Sequence, residues 1–68
     1  MRKKASDWKE LEDLTIRLDE LRVQLDAAEN GNKIAMIYAL EDAIAEAELA
    51  RTQVLSRLTD RVAEEAAA

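Results

Sequence analysis

The sequence contains no cysteine, no histidine, no proline and no phenylalanine, and only one glycine, one tryptophan and one tyrosine in 68 residues. Each absence closes a route. Without cysteine there is no disulfide framework to staple a small domain. With histidine missing too, the usual ligands of a structural metal site are gone. Without proline, nothing breaks a helix from within. Long hydrophobic runs are also missing: the most apolar stretch, residues 34–40, is closed by Glu41 and Asp42, far short of the roughly 20 residues that span a bilayer. Met1, Arg2, Lys3 and Lys4 could open an export signal, but Ser6, Asp7 and the polar stretch 9–13 stand where its apolar core would be. A soluble, cytoplasmic protein without membrane contact is the expectation.

What remains is a helix-forming alphabet of Ala, Leu, Glu, Asp and Arg. Ten basic and fifteen acidic residues give a net charge of −5, which on average repels nucleic acid and anionic membrane. A domain this small buries only about 60% of the surface its unfolded chain exposes. With disulfides and metals excluded, oligomerisation is the remaining way to add a core.

The strongest periodic signal is a seam of Leu11, Leu14, Leu18, Leu21, Leu25 and Ala28, alternating in steps of three and four as in a coiled-coil-like helix. Ser6 serves as its N-cap, with Asp7 in the first turn. Asn30, Gly31 and Asn32 interrupt the pattern, with Gly31 suited to the left-handed C′ position and Asn32 to capping a second helix. A second seam follows, of Ile37, Leu40, Ile44, Ala47, Arg51, Val54 and Leu58. It is displaced by two positions from a continuation of the first, about 200° around a helix. A straight rod cannot use both seams; a chain reversal lets them face each other.

The reading is therefore all-α: one antiparallel two-helix hairpin over residues 1–68, with helix 1 over about 6–29, the turn at 30–32 and helix 2 over about 33–65. Folding back sets Leu25 near Ile37, Leu21 near Leu40, Leu18 near Ile44, Leu14 near Ala47 and Trp8 near Val54. Arg51, on the seam, snorkels or stacks on Trp8. Leu55, Leu58 and Val62 project past Ser6 unless residues 1–5 extend helix 1, and residues 66–68 fray.

A hairpin buries one stripe per helix, and this chain has apolar residues to spare. Ile16 and Val23 lie opposite the first seam. Ile34, Met36, Tyr38, Leu49 and Leu55 lie off the second, and residues 34–40 are apolar on every side, as in a helix that is surrounded. Ala43 and Ala50, beside Ala47, form a small-residue strip where a neighbouring helix can approach closely. The candidate protein interface is thus Ile16, Val23, Ile34, Met36, Tyr38, Ala43, Ala50 and Leu55. A homodimer packed as a four-helix bundle would cover it. In length and in the place of its turn the chain resembles the Rop-type dimers of helical hairpins, a likeness of architecture that carries no residues across.

Chemistry is not expected. Carboxylates without histidine do not make a di-iron bundle site, and Ser6, Ser56, Thr15, Thr52 and Thr59 have no histidine base. No cofactor, metal or catalytic residue is assigned. Arg2, Lys3 and Lys4, together with Arg57 and Arg61, could touch phosphate as a small nucleic-acid-binding regulatory dimer. However, Asp60, Glu64 and Glu65 lie within one turn to pair with Arg57 and Arg61, and no aromatics interleave with the basic residues. The function expected is a binding module: a self-associating hairpin that acts as adaptor, assembly factor or inhibitor of another protein.

Overall fold

The computed structural model describes the backbone of residues 2–67 and the side chains of residues 7–67. Two helices, α1 over Arg2–Asn30 and α2 over Ile34–Ala67, fold back on each other into a hairpin 54 Å long and 16 by 13 Å across. The two seams meet as their phase requires. Leu18, Leu21 and Ala28 of α1 are buried against Leu40 and Ala47 of α2, with Leu25, Ile37, Ala43 and Ile44 packed around them. Val54, 1% exposed, and Leu58 continue the buried row toward the open end. Fully burying a large aliphatic side chain contributes roughly 1.5–3 kcal/mol, so a core of this size leaves little margin.

The turn is built differently from the expectation. Gly31 has no positive φ; the left-handed residue is Asn32, at φ 56°. The Lys33 amide donates to the Ala28 carbonyl at 3.0 Å and the Asn32 amide to the Glu29 carbonyl at 3.1 Å. This pair of bonds is a Schellman closure with Asn32, not Gly31, at C′. Asparagine tolerates that conformation because its short polar side chain fits there. Asn32 is therefore not the N-cap of α2. The Ile37 amide donates to the Lys33 carbonyl at 2.9 Å, so Lys33 holds the cap position.

The other end also differs. Ser6 lies within α1, which begins at Arg2, so Ser6 is not its start. A cap signal is worth about 1 kcal/mol, too little to set a helix boundary by itself, and α1 runs through it. Leu58 is accordingly buried rather than projecting, and helix 2 extends past the expected boundary. Ala68 lies outside the described residues. Arg51 occupies a seam position yet is exposed, its long stem carrying the charge out to water.

Candidate protein-interaction surface

The open end of the hairpin is closed by charge. Asp7, buried and only 13% exposed over its side chain, accepts from Arg61 Nη2 at 2.9 Å and from Arg57 Nη2 at 3.4 Å. Arg57 also reaches Glu10 at 3.2 Å. Asp7 stands four residues before Leu11, and Arg61 three residues after Leu58. Both therefore continue the three-and-four spacing of the two seams. Among the described residues they form the outermost core layer, an acid on one helix against a base on the other. That spacing was the signal for Asp7, whose position in a first turn suggested only a favourable helix dipole. Arg57 and Arg61 thus reach across the hairpin to α1, beyond the neighbours on their own helix. The side chains of Arg2, Lys3 and Lys4 lie outside the described residues.

The seven-residue spacing of Leu40, Ala47, Val54 and Arg61, all turned toward α1, shows that residues seven apart keep a constant side of the hairpin. Two flanks follow. On the first, Arg22 of α1 donates to Glu48 of α2 at 2.9 Å. Residues 8, 15, 22 and 29 share this flank with residues 34, 41, 48, 55 and 62. On the second, Arg57 meets Glu10, and Gln24, Ala27, Ala28, Lys33 and Met36 line one shallow depression. Ala43 and Ala50 follow Met36 along that flank.

These flanks divide the candidate interface residues. Ile34 and Leu55 lie on the first flank and Tyr38 at its outer edge. Met36, Ala43 and Ala50 lie on the second, with Ala43 and Ala50 partly covered. Ile16 and Val23 are exposed on the back of α1; Val23 stands among Asp19, Glu20 and Gln24 on that helix alone. One flat partner covers one flank, not all eight residues. Trp8 and Val62 were absent from the candidate set and belong beside it. Trp8, 57% exposed, shares a groove of about 400 Å³ with Leu55, Leu58, Thr59, Val62, Ala63 and Ala66. It lies along the last turns of α2, farther out than the expected pairing with Val54.

Among the described residues no group of three or more His, Cys, Asp or Glu is placed to hold a metal ion. No helix is long and apolar enough to cross a membrane. The chain matches no protein family, no curated protein and no solved structure in the comparisons made.

Proposed function

We propose that the chain is a non-catalytic protein-interaction module: a helical hairpin that self-associates and, as a dimer, serves as adaptor, assembly factor or inhibitor of a partner protein. The observation that carries this reading is the inverted balance of apolar residues. Among the described residues seven apolar residues are buried, whereas Trp8, Ile16, Val23, Ile34, Met36, Tyr38, Leu49, Leu55 and Val62 all remain exposed. Where such residues gather on one flank, as Trp8, Ile34, Leu55 and Val62 do, exposed apolar surface marks an interface, and a two-helix core of this size gains most from being covered. Large exposed side chains gather at the turn end, where Ile34 and Tyr38 stand on the first flank and Met36 on the second, and in the groove beside Trp8. A nucleic-acid-binding role is less well supported, because Arg57 and Arg61 are engaged by Asp7 and Glu10 on a chain of net charge −5.

Sedimentation across a hundredfold concentration range tests the reading. The mass should move from 7.6 kDa toward its double, and the melting temperature should rise with concentration. A well-folded monomer at every concentration refutes self-association.

A further inference from the structure

We propose that the open end of the hairpin is a unit that opens on its own, with Asp7 as its ionic latch, while the half next to the turn stays paired. Opening separates the first turns of α1 from the last turns of α2 and uncovers Val54 and Leu58 beside the Trp8 groove, which Leu58 already lines. A monomer can open in this way, so the latch stands apart from self-association.

The two halves are held by different means. Next to the turn, one apolar cluster runs from Leu18 to Ala28 on α1 and from Leu40 to Ala47 on α2, with Ile37 and Ile44 packed against it. The next seam position of α2 is Arg51, which is exposed, so an apolar side chain is missing at that level. On α1, Leu11 and Leu14 are only partly buried. Val54 and Leu58 are buried beyond this gap but stand apart from the turn-side cluster.

Charge closes what the apolar seam leaves thin. Asp7 accepts from Arg61 at 2.9 Å and from Arg57 at 3.4 Å, and Arg57 also holds Glu10 at 3.2 Å. One acid serves two bases, so both bonds to it are lost together when α1 moves away. Opening is then a single event and not a fraying turn by turn. Several terms favour it. The helix ends regain backbone and side-chain freedom, and the charged groups regain their hydration. Arg61 Nη1, buried without a hydrogen-bond partner among the described residues, regains water as well. Only Val54, Leu58 and the latch stand against these terms, and segments with few buried apolar contacts open at the low end of a protein's range.

Native-state amide hydrogen exchange at neutral pH, one fixed protein concentration and a series of low urea concentrations tests the latch. Amides of residues 57–61 should share one opening with a weak urea dependence, since little surface is exposed. Those of residues 40–47 should exchange through an opening that depends steeply on urea, the mark of global unfolding. Asp7→Asn should speed exchange at 57–61 by about tenfold or more, the scale of one lost hydrogen bond to a charged group. Ile44→Val, inside the turn-side cluster, should speed exchange at 40–47 severalfold and leave 57–61 unchanged, because the cluster survives in the opened state. Three results overturn the inference. An equal urea dependence at 57–61 and 40–47 means that the hairpin opens only as a whole, and so does an equal response of both segments to Ile44→Val. Protection that declines turn by turn toward Ala67, with 57–61 indifferent to Asp7→Asn, is simple fraying. The wild-type urea series and Ile44→Val decide the question even if Asp7→Asn does not fold.

Discussion

Replacing the only glycine of a turn is ordinarily destructive, yet Gly31→Ala should stabilise this protein. Gly31 does not adopt a positive φ, so alanine meets no backbone penalty there. A Cβ built on Gly31 would lie 3.5 Å from the Ala27 carbonyl oxygen and 3.6 Å from the Lys33 side chain, which is ordinary van der Waals contact. What changes is the unfolded chain, which loses the extra freedom of glycine. The expected gain is about 0.4–1 kcal/mol, and in a domain of this size that raises the melting temperature by roughly 2–8 °C. Asn32 is the complementary site. Its left-handed conformation strains any residue with a Cβ, so Asn32→Ala should destabilise by about 1 kcal/mol, while Asn32→Gly should be neutral to stabilising. The assay is thermal and urea unfolding followed by circular dichroism, at one fixed protein concentration so that self-association does not shift the midpoint. A loss of 1 kcal/mol or more in Gly31→Ala, with Asn32→Ala silent, would show that the left-handed residue is Gly31 after all and refute the Schellman assignment.

Four further outcomes are expected. Asp7→Ala should cost about 1–2 kcal/mol, since it removes charged hydrogen bonds at a site shielded from water, and the loss should shrink at high salt, whereas Lys9→Ala, whose partners Glu12 and Asp13 are exposed, should be nearly silent by the same melt. Leu18→Ala or Leu21→Ala should cost about 2–5 kcal/mol, enough to unfold the hairpin, while Glu12→Ala should stay within about 0.5 kcal/mol; an unchanged midpoint for Leu21→Ala contradicts the core. Val54→Thr, placing a hydroxyl in the most deeply buried position of α2, should destabilise by about 1–3 kcal/mol, measurable by urea titration. Spin labels at residues 14 and 47 should report a short intrachain distance, whereas a continuous helix would separate them by about 50 Å.

Much of this architecture was legible in one dimension. The three-and-four spacing from Leu11 to Ala28, and its recurrence from Ile37 to Leu58 out of phase with the first, required two helices and a reversal between them, because side-chain direction in a helix is a fixed function of position. The residues that fill the core, Leu18, Leu21, Leu40, Ala47 and Val54, followed from that arithmetic. So did the presence of apolar residues that a single hairpin has no means to bury. Local signals at the ends of elements were weaker guides. Ser6 offers a cap worth about 1 kcal/mol, and Gly31 offers cheap access to positive φ, but neither preference compels the backbone to use it.

Those choices belonged to the tertiary structure. Asp7 becomes a core residue because Arg61 arrives opposite it from 54 positions along the chain. Such a pairing depends on how two helices align at their far ends, which the sequence near Asp7 does not encode. Likewise, periodicity distinguishes seam from surface, but Met36 and Tyr38, both off the seam and only two residues apart, fall on opposite sides of the hairpin once α1 is in place. The sequence by itself determined that apolar surface would be left over. Only the docking of one helix on the other decided where it lies, because a flank exists only when there are two helices to define it.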